Sequence, residues 1–366
     1  MTDELSKEER EIVDGTVWDQ FCDTLKMAGN VVMGPNAPND PMNRMEGFRY
    51  LSRITRAALQ TFVEHNDPLA PVLQRVVHET AKMGADHPDN YYQNAAISGK
   101  HEYRVYGTRG TVHYLGFFTQ KGNYGQGRGM PPTGYLEGSE LEVNSDGTFE
   151  IIVSQEEKPG NWLPMEEESG TLIVRQTRLD RENEQIAELQ IERIGGDGMT
   201  SPFDPVKCAE GMTMSAGLVA GAAMLFANWA EGFKKHTNQL PRFDQNVSNM
   251  AGGVPDIAYY HSYWKLAPDE ALVIEATPPE CEHWNFQLNN YWMESLDYRY
   301  YPIHVNKHTA KYRPDGSVQV VVAAQNKGFD NWIDTVGHEE GTMCWRWVRA
   351  DEHPEPQTRV VKLSEL

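Results

Sequence analysis

The sequence predicts an α+β chain, mainly β, in which two homologous antiparallel β-sandwich-like units accompany N-terminal helices and one inserted apolar helix. Three observations carry this expectation: a segmental repeat, a change from helical to strand-and-turn texture near position 89, and one run, Met212 to Phe226, that is apolar nearly all round. A helix apolar on every face is expected to be buried.

The elements follow in order. Ser6 and Glu9 have the spacing of a capping box, and Val13, Trp18, Phe21 and Leu25 continue a helical pattern from it. Asp40 and Pro41 read as N-cap and first helical residue of a second helix, whose Phe48, Leu51, Thr55, Ala58, Leu59 and Phe62 share a face. Residues 1–88 therefore form an N-terminal helical region. Over 89–195, short aromatic and β-branched runs alternate with Asn-Ser-Asp-Gly and Lys-Pro-Gly, the vocabulary of a first β-unit. Residues 196–257 are a helical connection opened by Asp204-Pro205, and strand texture returns over 258–366 as a second β-unit.

The second unit repeats the first. Asp146-Gly147 recurs as Asp315-Gly316, Asn161-Trp162 as Asn331-Trp332, and Gly170-Thr171 as Gly341-Thr342, at offsets of 169, 170 and 171. The drift of one residue per loop marks a duplicated unit with gaps confined to connections. Each Asp-Gly predicts a hairpin. Beyond the last pair, Arg175, Arg178 and Asp180 fall on Arg346, Arg349 and Asp351. Upstream, His113-Tyr114 aligns with His283-Trp284 at an offset of 170, which sets Leu115 and Phe117 against Asn285 and Gln287.

Composition narrows the function. A formal net charge of -20 with no basic cluster beyond Lys234-Lys235 excludes nucleic acid as a partner. The four cysteines lie far apart with no C-x-x-C, so neither a zinc ribbon nor a disulfide framework is expected. The acidic N-terminus lacks the pattern of a secretory signal and no run of 18 apolar residues occurs, so a cytoplasmic protein with no membrane partner is expected. Apolar helical stripes beside long β-edges predict a homo-oligomer.

The stretches "ADHPDNYYQNAAISGKHEYRVYGTRGTVHYLGF", "GNWLP", "WNFQLNNYWMESLDYR" and "GFDNWIDTVGHEEGTMCWRWV" resemble a bacterial family catalogued as domain of unknown function twelve-fourteen, from about Arg49 to Leu366. The resemblance implies a β-sandwich-like fold, bacterial small-molecule metabolism, and a steroid, terpenoid or aromatic as substrate class.

Chemistry is sought where the copies differ, since shared tryptophans, arginines and turn glycines serve the fold. "GNYGQGRGM", Gly122 to Met130, is not followed by a helix and reads as a loop rather than a dinucleotide site. His304 and His308 lie in an extended context where they cannot share one ion, and His338 falls in a loop, so neither metal nor other cofactor is expected. In "HWNFQLNN" His283, Asn285, Gln287 and Asn289 share one strand face, opposite apolar Trp284, Phe286 and Leu288. Buried amides and an imidazole need hydrogen-bond partners that a ligand can supply. The adjoining "YWMESLDYRYYPIH" adds Trp292, Glu294, Asp297, Tyr298, Arg299 and His304. His283 and Asp297 are candidate proton acceptors, Tyr298 a donor and Arg299 an oxyanion holder, with Asn285, Gln287, Asn289, Trp292, Glu294 and His304 binding substrate. The function expected is a cofactor-independent hydrolase or lyase/hydratase acting on a hydrophobic cyclic small molecule. A non-catalytic small-molecule or carbohydrate-binding or assembly protein, and a metal-dependent enzyme around His304, His308 or His338, are the alternatives.

Overall fold

The structure, a computed structural model, describes residues 5–122, 130–250 and 256–366. Most of the expected Gly122–Met130 loop therefore lies outside the described residues. Helix α1 spans Lys7–Val13, α2 Thr16–Val32 and α3 Pro41–Leu59. The capping box closes α1: the Glu9 N–H donates to Ser6 Oγ at 3.1 Å, and the Ser6 N–H to Glu9 Oε2 at 2.7 Å. The helical pattern does not run on unbroken. Gly15 takes φ +85° and separates α1 from α2. Asp40 caps α3 by accepting the Asn43 N–H at 3.0 Å.

The first β-unit comprises β1 (Asn90–Ala96), β2 (Tyr103–Thr108), β3 (Tyr114–Lys121), β4 (Pro132–Glu137), β5 (Thr148–Ser154), β6 (Trp162–Pro164), β7 (Ser169–Thr177) and β8 (Glu188–Arg193). Helices α4 (Pro205–Phe233) and α5 (Gln245–Met250) follow. The second unit contains β9 (Ile257–Lys265), β10 (Glu270–Ala276), β11 (Cys281–Leu288), β12 (His304–Asn306), β13 (Val318–Ala323), β14 (Trp332–Asp334), β15 (Glu340–Ala350) and β16 (Gln357–Lys362). Strand orders β1-β7-β3-β4 and β6-β5-β2-β8 in the first unit recur as β9-β15-β11-β12 and β14-β13-β10-β16 in the second. The duplication is thus a two-sheet sandwich, antiparallel among the described residues except for β5-β6 and β13-β14.

Alternation builds each core. Val105, Leu115, Phe117, Phe149, Ile151 and Val174 fill the first, while Leu272, Trp284, Phe286, Val320, Trp345 and Trp347 fill the second. Trp284 and Trp345 stack with centroids 4.9 Å apart. Residues common to both copies do common work. Asn161 and Asn331 donate side-chain N–H groups to two carbonyls each, and the indoles of Trp162 and Trp332 donate to the Ser154 and Ala323 carbonyls.

Two expectations are corrected. The Asp-Gly pairs make tight turns, with Gly147 at φ +86° and Gly316 at +82°. They do not join paired strands, because the polar arms before them reach no further than single contacts such as the Tyr312–Val318 bridge. Helix α4 is not buried all round. Ser215, Val219, Ala223 and Ala230 are buried, whereas Gly217, Gly221, Met224 and Gly232, spaced to share one face of the helix, are exposed. By length and composition Pro205–His236 could cross a membrane, and 39% of its apolar window is buried.

By compactness the chain divides into one unit of residues 1–30, 51–81 and 89–221 and another of 31–50, 82–88 and 222–366. The second sandwich therefore carries the short segment 82–88 as part of its own packing.

Candidate functional site

Strand register places the candidate residues in rows on the outer face of the sheet β12-β11-β15-β9. Asn306, Asn285, Arg346 and Tyr259 form one row, and His304, Gln287, Cys344 and His261 the next. The same register corrects the repeat. In the first unit Gly116 pairs with Arg175; in the second Asn285 pairs with Arg346. Gly116, not Leu115, is the counterpart of Asn285, and Phe118, not Phe117, that of Gln287. The isolated His113/His283 match is one residue out of register, and a slip of one exchanges the two faces of a strand. Leu115 and Phe117 correspond to Trp284 and Phe286 in the cores. The contrast persists with these partners: Tyr114, Gly116 and Phe118 in one unit answer His283, Asn285 and Gln287 in the other.

The face is covered. Asn285, Gln287 and Asn289 are fully buried and His283 is 3% exposed, so the polar strand does not look into water. Arg346, also buried, donates to the side-chain oxygens of Gln287 at 2.6 Å and Asn285 at 3.3 Å, and to the Ala85 carbonyl at 2.5 Å. Gln287 in turn donates to Asn289 Oδ1 and to the Asp86 carbonyl at 2.7 and 2.9 Å. Asp86 accepts from the Ser295 N–H and hydroxyl. Burial raises the Asp86 carboxyl above its ordinary range, opposed by Lys82, Ser295 and Arg346. Ala85 and Met293, joined by an N–H to carbonyl bond of 2.7 Å, both hold φ +57°. Two non-glycine residues in the left-handed region cost on the order of 1–3 kcal/mol each and are typical of functional clamps.

An aromatic wall borders the amides on β9. His261 lies between the parallel rings of Tyr259 and Phe233, at 5.4 and 5.7 Å, with Phe243 edge-on at 5.3 Å. Tyr259 also faces the Arg346 guanidinium at 5.7 Å. Burial, with help from the Arg346 charge, pushes the His261 imidazole down to about 3, so it is neutral at pH 7. Burial pushes the Cys344 thiol up to about 11, which removes it as a nucleophile.

The remaining candidates are placed differently. Asp297 and Arg299 grip each other at 2.6 and 2.8 Å in a partly exposed turn, and that bond holds the Asp297 carboxyl below its ordinary range. The Tyr298 ring lies beneath the Lys82 ammonium at 4.5 Å and meets His304 edge-on at 6.5 Å. Trp292 donates its indole N–H to the Asn43 carbonyl at 2.8 Å, and Glu294 accepts from Asn290 at 3.0 Å. Both buttress the turn after β11. His338 bonds Glu46 at 2.9 Å and the Thr335 carbonyl.

A family model described as "Protein of unknown function (DUF1214)" matches residues 130–177 and 268–352. A crystal structure of a putative uncharacterized protein from Burkholderia cenocepacia is 50% identical, with a TM-score of 0.94 over 98% of this chain and 99% of that one. The chain belongs to the DUF1214 family. No curated protein matches it. The VPA0106 protein from Vibrio parahaemolyticus shares the fold at 13% identity and a TM-score of 0.51, covering 93% of this chain and all of that one.

In this DUF1214 chain the residues missed from sequence are Lys82, Asp86, His87 and His261, and Arg346 in a role beyond the fold. The signal for the first three was the "KMGADHPD" stretch, whose charges and imidazole precede the first strand with no helical or strand periodicity. An open cavity of about 700 Å³ belongs to the first unit and is lined by Arg104, Tyr106, Glu142 and Asn161 among others. Its arginine already pairs with Glu150 and Glu192, so it offers less chemistry than the buried face.

Proposed function

We propose that the second unit binds an apolar cyclic small molecule through a carboxylate or enolate oxygen and turns it over by general acid/base chemistry of the hydrolase or lyase kind. One observation carries the reading: the buried Arg346 guanidinium is braced by the neutral oxygens of Gln287, Asn285 and Ala85. A buried charge held by neutral dipoles is poised for an anion, because the amides orient it without neutralising it. At the equivalent places the first unit carries Gly116 and Phe118 instead of amides, and Arg175 lies over the Phe118 ring at 5.2 Å. His283 shares the face as the proton carrier, and the aromatic wall around His261 suits a ring.

Thermal unfolding in the presence of cyclic carboxylic acids and their neutral amides tests the reading. The acids are expected to raise the melting temperature of the wild type and not of Arg346→Met, and deuterium from solvent is expected to appear beside the carboxyl of the acid that binds. Equal shifts by acid and amide, or acid binding that survives Arg346→Met, would refute it.

A further inference from the structure

We infer that His87 and His283 form a binding site for a divalent transition metal of the zinc class. Both imidazoles are buried, at 7% and 3% exposure. Their ring centroids lie 5.5 Å apart at an interplanar angle of 32°, and a nitrogen of one comes within 4.8 Å of a nitrogen of the other. Two imidazole nitrogens on one tetrahedral zinc stand about 3.3 Å apart, so a small rotation of each ring brings both into ligating range. The donors come from unrelated elements, the segment before the first strand and β11, which is how a site is assembled by folding and why no sequence spacing announces it.

Asp86, the residue before His87 in the chain, keeps its carboxylate on the Ser295 N–H and hydroxyl, so the donors within this unit are the two imidazoles. Lys82, directed to the Ser295 and Leu296 carbonyls at 2.7 and 2.9 Å, and Arg346 keep their charges and oppose a positive ion, so any metal is held against them by the imidazole donors. Neutral imidazoles without a thiolate favour zinc, cobalt(II) or nickel(II) over calcium or magnesium. The inference deepens the acid/base reading of the same face, because an ion on His283 passes the proton-carrying part to a water bound at the metal. It revises the expectation that no metal is held.

The test needs no substrate, so its failure is separable from failure of the reading above. The full-length chain, stripped with chelator, is titrated with zinc by calorimetry at pH 7.5 and with cobalt(II) by visible absorption. One equivalent of each is expected, with affinity falling at least about tenfold in His87→Ala and in His283→Tyr, the latter carrying the residue found at Tyr114 in the first unit. His308→Ala, an exposed histidine outside the pair, is expected to bind as the wild type does. Should a variant fail to fold, a zinc-soaked crystal of the wild type decides, through an anomalous peak between His87 and His283. No stoichiometric uptake, a peak elsewhere, or uptake unchanged in both variants would overturn the inference.

Discussion

Arg346 donates to Gln287 Oε1 at 2.6 Å, and both side chains are buried on the outer face of one sheet. The bond crosses from β15 to β11 between adjacent rows of that face, so the guanidinium is held by strand geometry rather than by a mobile loop. Lysine carries the same charge but lacks the planar fork that reaches Gln287, Asn285 and Ala85 together. Arg346→Lys is expected to lower stability by about 2 kcal/mol through acceptors left unmet. Urea unfolding checks this, and a loss below about 0.5 kcal/mol would mean that the three bonds contribute little.

His261 makes stability fall in acid. Its imidazole titrates near 6.5 when unfolded and at about 3 in the folded chain, so between these values the unfolded state binds more protons. Stability from this residue is full above the unfolded value and is lost as pH falls through that window, by at most about 1.4 kcal/mol per pH unit. His261→Phe, which fits between Tyr259 and Phe233 without a titrating group, is expected to flatten the slope of stability against pH from 6 to 4. An unchanged slope would place the acid sensitivity in other groups.

Much of the fold was legible in the sequence because each copy repeats the same period-two pattern and the same turn residues. Asn161 and Asn331, with their tryptophans, could be paired by eye since the fold fixes both. The site was legible only in part. His283, Asn285, Gln287 and Asn289 stand out because they interrupt an apolar texture, but the sequence match alone sets their counterparts one residue out of place, as strand faces depend on a register that gaps at loops obscure. Asp86, His87 and Lys82 lay in a segment without periodicity, and nothing local to it shows that it packs against a strand far along the chain. Asp297 and Arg299 read as catalytic in sequence because acid and base types adjoin; two residues apart in a turn, they satisfy each other.

His338 acts in the opposite sense to His261. Burial opposes its charge, yet the hydrogen bond and charge of Glu46 and the Thr335 carbonyl raise its titration above the ordinary imidazole value. A raised folded value gives stability that is fully present below the unfolded value and lost as pH rises through the folded one. Glu46→Gln is expected to destabilise the chain more at pH 6 than at pH 9. Equal losses at the two pH values would show that the imidazolium and Glu46 are not coupled.

The duplication supplies its own control. Phe118 and Gln287 occupy equivalent places, each beside its arginine, but Phe118 is half-buried and meets Arg175 only as a ring, whereas Gln287 is fully buried and supplies oxygen to Arg346. Replacing each by leucine removes the arginine's neighbour at equivalent register. Phe118→Leu is expected to cost about 1 kcal/mol or less, the scale of a partly solvated cation–π contact. Gln287→Leu is expected to cost about 2–3 kcal/mol, because a buried guanidinium loses an acceptor that water cannot replace, and to abolish stabilisation by cyclic acids. Chemical unfolding of the two variants, with thermal shifts in the same acids, reads both effects. If the costs are equal and the acids still stabilise Gln287→Leu, the amide face fills space in the sandwich and the small molecule binds elsewhere.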